Sequence, residues 1–351
     1  MKAMRICILC CSLALSGWAL SSCSHAPSAG RQNGSPILIN VAGSTFGYPI
    51  YSKWFDVYHQ LHPRVELNYA SIGSGGGIEQ TRVGTVDFGA SDMPLDNQLL
   101  STFKFKVVQL TTVMGATVPM YHLPGITAEL KFTPQALAGI YLGKITKWND
   151  QALARANPGV NLPGDKIITL HRSDGSGTTF VWTDYLSKVS SEWKAKVGSN
   201  TAVDWPVGLG GKGSEGVAGL IEQTPYSIGY VELVYALENH ILYGAVENSS
   251  GKYIKATLTS VTAAAADAAP AMEKDIRVSI TNPPGSDAYP ISCFTYFLIP
   301  ATFSNPTKGR IIKHFLRWML TDGQKYAAPL GYAPLPKAVV NINLKRLSQI
   351  Q

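Results

Sequence analysis

Residues 37–61 read ILINVAGSTFGYPIYSKWFDVYHQL, and their pattern indicates the fold class. Its first residues, 37–41, form the short apolar run that is typical of a buried strand. A Gly-Ser-Thr loop at 43–45 interrupts the run, and residues 50–61 then place apolar side chains at helical spacing. A strand that passes through a loop of small residues into a helix is the building unit of α/β proteins.

The same unit recurs directly downstream. Residues 65–71 predict a strand, the glycine-rich run IGSGGG follows at 72–77, and residues 78–83 suit a short helix. Residues 86–90 predict a third strand, which ends at the Ser-Asp pair 91–92. This alternation predicts an α/β fold with a mainly parallel sheet.

Two long uncharged segments, 107–121 and 291–299, lie far apart in the chain. Between them, residues 167–170 predict a strand and residues 180–186 predict a helix. Two extended apolar segments are what a two-strand hinge between lobes requires, so we expect two lobes, each with its own sheet and flanking helices. The alanine-rich residues 261–271 suit either a helix or a loose linker.

The amino terminus has the pattern of an export signal. Lys2 and Arg5 precede an apolar run at 6–20, which is too short for a membrane span. Small residues then lead to Cys23, which predicts a lipoprotein signal peptide at 1–22 and lipidation of that cysteine. The alternative is ordinary cleavage at a nearby small residue, with the cysteine incidental.

The polar residues 23–36, rich in Gly, Ser and Pro, predict a flexible tether between the lipid and the folded part. The 329 residues beyond residue 22 suffice for two lobes. Beyond Cys23 the only cysteine is Cys293, which excludes an internal disulfide and predicts a small buried side chain.

The formal net charge is +7, or about +5 without the two basic residues of the signal segment. Because no dense Lys/Arg block occurs, nucleic acid is a poor candidate partner. A modest positive field suits capture of a small anion, although it serves solubility equally well. No metal-ligand spacing is present, and we predict no cofactor.

Four loops follow predicted strands and offer glycines and small hydroxyl residues. At the start of a helix such loops expose backbone N–H groups that no helical carbonyl accepts, and oxyanions bind there. An arginine in the last loop adds paired charged donors. The four loops are 42–46, 73–77, 89–92 and 172–179.

Each loop also has a simpler interpretation. Thr45 could only cap a helix, residues 73–77 could be a plain glycine turn, and Asp92 could be a cap or turn residue. Asp174 could orient Arg172 or belong to an ordinary turn. The anion site gains its support from the four loops together.

Seven stretches match one known family in order and spacing: AGSTF at 42–46, GSGGG at 73–77, DFGASD at 87–92, IYLGKITKWND at 140–150, RSDGSGTTFVWTDYL at 172–186, WPVGLGGKGSEGV at 205–217 and IGYVE at 228–232. They resemble the periplasmic phosphate-binding proteins, and the resemblance extends from about residue 38 to 340. Gly47 and Gly75 stand where that family commonly has Pro and Ser, and neither departure removes an expected donor.

The resemblance implies a periplasmic-binding-protein fold of type II. Its first lobe would comprise residues 37–114 and 291–351, and its second lobe residues 115–290. It implies phosphate contacts from both lobes, namely Thr45, Phe46, Ser74 and Asp92 on the first and Arg172, Ser176, Gly177 and Thr178 on the second.

The same resemblance implies a monomeric binding protein rather than an enzyme. It would lie in the periplasm or on the cell surface and deliver inorganic phosphate to the permease and ATPase of an ABC transporter. The residues leave open whether the lipid anchor sits in the inner or the outer membrane.

An ionised Asp92 accepts hydrogen bonds only, so it can accept the proton that phosphate carries and sulfate lacks. An unmet buried polar group costs about 1–3 kcal/mol, which favours phosphate. Rival functions are binding of sulfate or molybdate, a structural lipoprotein that binds no anion, and a phosphatase-like hydrolase. The hydrolase would use His171, Asp174 and Ser176, which crowd one short loop where a relay is hard to orient.

Overall fold

The computed structural model describes residues 36–266 and 268–351. The predicted signal peptide at 1–22, the lipidation site Cys23 and residues 23–35 of the predicted tether lie outside the described residues. From Pro36 onward the described chain forms one compact unit.

Strands and helices alternate along the chain as expected. The strands are β1 (Ile37–Gly43), β2 (Val65–Ser71), β3 (Phe88–Ser91), β4 (Val107–His122), β5 (Lys131–Phe132), β6 (Ile168–Arg172), β7 (Leu209–Gly211), β8 (Ser227–Glu232), β9 (Ala245–Glu247), β10 (Tyr253–Ile254) and β11 (Ser292–Pro300). The helices are α1 (Tyr48–Leu61), α2 (Ser74–Val83), α3 (Asn97–Leu100), α4 (Pro134–Tyr141), α5 (Gln151–Ala156), α6 (Gly177–Val189), α7 (Ser191–Lys196), α8 (Gly213–Gln223), α9 (Leu233–Glu238), α10 (Leu258–Ala264), α11 (Ala269–Lys274), α12 (Pro306–Leu320) and α13 (Lys337–Arg346).

Eight of these strands form one sheet, in the order β2-β1-β3-β11-β4-β8-β6-β7, and β10, β9 and β5 form a second, three-stranded sheet. β1 runs parallel to β2 and β3, and β6 runs parallel to β7 and β8. β11 is antiparallel to β3 and β4, and β4 is antiparallel to β8. Two parallel groups therefore flank a central antiparallel pair made of the two uncharged segments, and the sheet as a whole is mixed.

β4 is a 16-residue strand that both groups share. Its residues Val107–Ala116 pair with β11, and its residues Thr117–His122 pair with β8. We use this change of partner to name two regions, the first half (37–116 and 292–351) and the second half (117–291).

Two helices begin earlier than the sequence pattern indicates. α2 starts at Ser74, so the glycine run forms its first turn. α6 starts at Gly177 rather than at residue 180. In α2 the glycines permit close packing on the sheet, since a Cβ on Gly77 would lie 2.5 Å from the carbonyl oxygen of Ala90. Both helix starts thus lie close to the strand ends.

Burial of aromatic side chains stabilises both halves. In the first half, the rings of Tyr51 and Phe297 lie 4.6 Å apart. In the second half, Trp182 stacks on Tyr230 at 5.2 Å. The thiol-bearing Cys293 is buried in β11, as expected. Within the described residues, no helix has both the length and the apolar character needed to span a bilayer.

The alanine-rich segment 261–271 is largely helical. It contributes to α10 and α11, which flank residue 267. Thr257 and Ser260 form a capping box at the start of α10, which explains why a helix begins just before the alanines.

Candidate functional site

The carboxyl ends of the parallel strands converge where the two halves meet. α1, α2, α6 and α8 begin just beyond β1, β2, β6 and β7, and Asp92 follows β3. Ligands of open α/β sheets bind at such strand ends. We call the residues gathered here the cleft, comprising Ser44, Thr45, Phe46, Ser74, Asp92, Arg172, Ser176, Gly177, Thr178, Ser214 and Glu232.

Asp92 is 2% exposed and is held by side chains of its own half. Its Oδ1 accepts the hydroxyl of Ser44 at 2.6 Å, and its Oδ2 accepts the hydroxyl of Ser74 at 3.2 Å. Burial raises the pKa of Asp92, although these hydroxyls and Arg172 act in the opposite direction. The carboxyl group is thus fixed in orientation and keeps lone pairs for a further donor.

Asp92 faces the second half across a very short gap. A Cβ on Gly177 would lie 2.3 Å from Asp92 Oδ2 and 2.4 Å from Ser74 Oγ. Beside this contact, the backbone N–H of Gly75 donates to the carbonyl oxygen of Gly175 at 2.8 Å. The two halves therefore meet in direct backbone contact at the cleft.

Arg172 is the buried cation of the cleft, at 3% exposure. Its Nε and Nη2 donate to Asp174 Oδ1 and Oδ2 at 2.8 and 2.6 Å. Although burial opposes ionisation, Arg172 lowers the pKa of Asp174, so the pair is charged. Asp174 occupies one edge of the guanidinium and thereby orients the other edge, which carries Nη1, into the cleft.

Thr45 does not cap α1, whose N-cap is Gly47. Its hydroxyl instead lies 2.8 Å from the hydroxyl of Ser214, which also accepts from Arg172 Nη1 at 3.1 Å. One hydroxyl therefore links Thr45 of the first half to Arg172 of the second.

Ser214 was not among the residues predicted from sequence. The signal was present, because residues 209–214 repeat the strand, loop and helix pattern of the other four loops. Ser214 lies in the first turn of α8, where a hydroxyl can reach an anion held at the helix start.

The start of α6 supplies amides and one more hydroxyl. Ser176 caps the helix by accepting from the N–H of Thr179 at 3.1 Å, which leaves its own hydroxyl proton for another partner. Among the described residues, no protein group accepts from the backbone N–H of Gly177 or Thr178. This is the donor arrangement that helix starts offer to anions.

Phe46 is 1% exposed, and its ring packs 6.0 Å from that of Tyr332. Its carbonyl oxygen accepts from the Tyr332 hydroxyl, and no described acceptor takes its N–H. The backbone N–H of Phe46 can therefore donate a hydrogen bond to a ligand, while the side chain holds the loop in place by packing.

Glu232 ends β8 and is fully buried. Its Oε1 contacts the hydroxyl of Thr178, whereas its Oε2 has no hydrogen-bond partner among the described residues. Burial raises the pKa of Glu232 to about 7, against the opposing influence of Arg172 and of the Thr178 and Ser214 hydroxyls. Sequence reasoning missed this carboxyl group, because nothing in the IGYVE stretch marks its glutamate as part of an anion site.

The three residues of the hydrolase hypothesis do not form a relay. The ring of His171 stacks on Trp205 at 4.8 Å, and its Nδ1 lies 3.0 Å from the carbonyl oxygen of Arg172. Asp174 is paired with Arg172, and Ser176 caps α6. A Ser–His–Asp relay requires direct contacts that are not made here.

Comparisons with known proteins identify the family of this chain. A family model described as a PBP superfamily domain matches residues 24–323. A phosphate-binding protein PstS of Xylella fastidiosa is 45% identical over 318 residues, covering 90% of this chain and 86% of that protein. The PstS of Haemophilus influenzae is 43% identical and covers 86% of this chain and 90% of its own length.

The fold likewise matches that of a solved structure. A phosphate-binding protein from Stenotrophomonas maltophilia superposes with a TM-score of 0.66 at 18% identity, covering 88% of this chain and 92% of that one. This likeness confirms the predicted α/β periplasmic-binding-protein fold. Together with the sequence relatives, it leads to one conclusion: the chain belongs to the PstS family of phosphate-binding proteins, within the periplasmic binding protein superfamily.

Proposed function

We propose that this chain captures inorganic phosphate in the cleft and delivers it to the permease of an ABC transporter. Its curated relatives are named phosphate-binding proteins, which supports a role as a binding protein rather than an enzyme. The proposed contacts come from both halves, and they are Thr45, Phe46, Ser74, Asp92, Arg172, Ser176, Gly177 and Thr178.

The proposal depends mainly on the convergence of one buried guanidinium, several hydroxyls and free helix-start amides next to one fixed carboxyl group. Arg172 can give charge-assisted hydrogen bonds from the edge that Asp174 leaves free. Asp92 lies on the opposite side of the cleft with both oxygens oriented by serines. This arrangement suits a tetrahedral oxyanion that still carries a hydrogen.

Selectivity follows from the acceptor. An ionised Asp92 can accept the O–H of phosphate in a charge-assisted bond, whereas sulfate would bring two negative oxygens together without water. A mismatch of this kind costs about 1–3 kcal/mol or more, which corresponds to about tenfold to several-hundredfold in affinity.

Closure of the two lobes belongs to the same proposal. The lobes would be residues 37–114 with 291–351, and residues 115–290. Contacts from both lobes to one ion exist only when the lobes are closed, so the ion stabilises the closed state. β4 and β11 are the proposed hinge strands.

The cellular setting completes the proposal. We place the protein outside the cytoplasm as a monomer, anchored through lipid on Cys23 after removal of residues 1–22. The permease and ATPase that receive the phosphate are its proposed partners. Mass spectrometry of the protein isolated from membranes would detect the lipid on Cys23, and an unmodified Cys23 would contradict the anchor.

Calorimetric titration with phosphate, sulfate and arsenate tests the binding function. We expect tight binding of phosphate and at least tenfold weaker binding of sulfate. Tighter binding of sulfate than phosphate would contradict the role of Asp92, and no binding of any oxyanion would contradict the function. Release of product from a chromogenic phosphate ester would support the hypothesis of a phosphatase-like hydrolase instead.

Small-angle X-ray scattering tests closure. We expect the radius of gyration to fall when phosphate is added. Superimposable curves with and without phosphate would contradict lobe closure while leaving binding itself intact.

A further inference from the structure

When an anion occupies the cleft, the hydroxyl of Thr178 has more possible hydrogen-bond acceptors around it than its single proton can bond to. Its Oγ1 accepts from Arg172 Nη1 at 3.3 Å and also contacts Oε1 of Glu232. A hydroxyl has one proton and two lone pairs. When Glu232 is ionised it can only accept, so the single proton of Thr178 must point at the carboxylate and not at a bound anion.

A neutral Glu232 reverses this hydrogen bond. Its O–H then donates to Thr178 Oγ1, whose two lone pairs are filled by Glu232 and Arg172. The hydroxyl proton of Thr178 is released from the carboxyl group and can donate to the ion in the cleft. The state of one carboxyl group thus decides whether Thr178 is a donor to the ligand.

We infer that Glu232 is a positioning residue of the anion site, whose carboxyl group holds a proton in the bound state and so turns the Thr178 hydroxyl toward the anion. This inference rests on the proposed function. It adds a proton-carrying group, distinct from Asp92, to the capture of phosphate.

The surroundings of Glu232 favour the neutral form. Its Oε2 is buried without a partner among the described residues, and an unpaired carboxylate oxygen is far more costly to bury than an unpaired carbonyl oxygen. Arg172 is already paired with Asp174, so it cannot neutralise Glu232 and a bound anion as well. Titratable and charged groups that influence Glu232 are Arg172, Asp92, Cys293, Tyr235 and Tyr332.

Proton uptake follows from this arrangement. Because the pKa of Glu232 lies near 7, part of the protein carries an ionised Glu232 at neutral pH and most of it does so at pH 8.5. A bound anion requires the neutral form, so binding at high pH takes up a proton. Affinity should therefore fall as pH rises through 7, by up to about tenfold per pH unit for one linked proton.

The experiment is calorimetric titration of inorganic phosphate into the full chain from pH 6 to 8.5, in buffers of different ionisation enthalpy to count protons. Phosphate also titrates in this range, so the readout is the difference between wild-type protein and Glu232→Gln. The amide that this substitution introduces can donate to Thr178 but cannot titrate. Glu222→Gln, which makes the same side-chain replacement at an exposed site on α8, is the matched control.

We expect Glu232→Gln to bind within about threefold of wild type at pH 6. At pH 8.5 it should bind up to about thirtyfold more tightly and take up as much as one proton fewer, since its site needs no protonation. Glu222→Gln should match wild type at every pH. On a Thr178→Val background, Glu232→Gln should no longer change the pH profile, because the hydroxyl it acts through is gone.

Equal proton counts in wild type and Glu232→Gln would overturn the inference alone. A folded Glu232→Gln that binds more than tenfold more weakly at pH 6 would also overturn it, since an ionised carboxylate would then be required. Wild-type protein that binds no phosphate at any pH would overturn the proposed function and this inference together. Thermal melting identifies variants that have lost their fold.

Discussion

Asp92 and Glu232 are two buried carboxyl groups on opposite halves of one cleft, and they are held very differently. Both oxygens of Asp92 accept hydroxyls from serines of its own half. The Oε1 atom of Glu232 contacts the Thr178 hydroxyl, and its Oε2 atom has no hydrogen-bond partner among the described residues. A carboxyl group fixed by several hydrogen bonds can discriminate between ligands, because its acceptor atoms have a set orientation. A carboxyl group with few hydrogen bonds can gain or lose a proton more easily.

The charged groups of the cleft that act on the ion are also distributed between the two halves. The first half contributes the fixed acceptor, and the second half contributes the guanidinium of Arg172 with its counter-ion Asp174. Neither half alone offers both a cation and an acceptor to the ion. Four substitutions test this division of charge.

Removing the guanidinium of Arg172 should have a large effect on phosphate binding, because the second half then offers no cation to the ion. In Arg172→Ala we expect phosphate affinity to fall at least about thirtyfold, because truncating a buried hydrogen-bonded charge costs about 2–5 kcal/mol. Calorimetry measures the change. Arg310→Ala, at an exposed site where the guanidinium donates to Thr307, should remain within twofold of wild type, and a loss of equal size there would contradict a specific role for Arg172.

Removing the acceptor's charge should change selectivity more than stability. In Asp92→Asn the ratio of phosphate to sulfate affinity should fall by about tenfold or more, because the amide can donate to sulfate. Titration with both anions gives the ratio, and Asp56→Asn on the exposed face of α1 is the control. An unchanged ratio in Asp92→Asn would refute its discriminating role.

Adding a methyl group in the gap between the halves should weaken phosphate binding, although no charged residue is changed. A Cβ in Gly177→Ala would lie 2.3 Å from Asp92 Oδ2, and overpacking costs about 1–3 kcal/mol. We expect about five- to hundredfold weaker phosphate binding by calorimetry. Gly219→Ala is the matched helical control: its Cβ meets nothing within 4 Å, so it should keep affinity and raise stability by about 0.5–1 kcal/mol in thermal melts. Equal affinities in both variants would contradict the close approach.

Removing the hydroxyl that links the halves should have the smallest effect. In Ser214→Ala, Thr45 and Arg172 lose a shared partner, and one neutral hydrogen bond contributes about 0.5–1.5 kcal/mol. We expect phosphate affinity to fall by about two- to tenfold. A change above about fiftyfold would show that Ser214 contacts the ion more directly than the other hydroxyls.

The sequence predicted the α/β class and the strand-end loops because these depend on local patterns. Alternation of apolar runs, glycines and helical spacing is visible within thirty residues, as in 37–61. The starts of α2 and α6 were placed too late, since the glycines looked like loop residues. The first turn of α2 packs against β1 and β3, whereas α6 packs against β4 and β8, and no local pattern records these contacts.

Residues of the cleft were predictable from the sequence only where the surrounding loop has a composition typical of an anion site. The Arg172 loop is rich in hydroxyls and glycines and stands out in any reading of the sequence. Glu232 does not, because a glutamate at a strand end is usually a solvated residue. Its importance arises from burial opposite β4, where it pairs in register with Thr117, and this is a product of tertiary structure.

The place of β11 in the sheet has a consequence for biosynthesis. This strand separates β3 from β4, although it is made some 170 residues after β4 ends. Until the ribosome has produced it, the partners on both sides expose unpaired backbone edges, which are prone to aggregation. The first half therefore cannot mature during translation, and a chain truncated before Ser292 should be degraded rather than accumulate as a half-folded product.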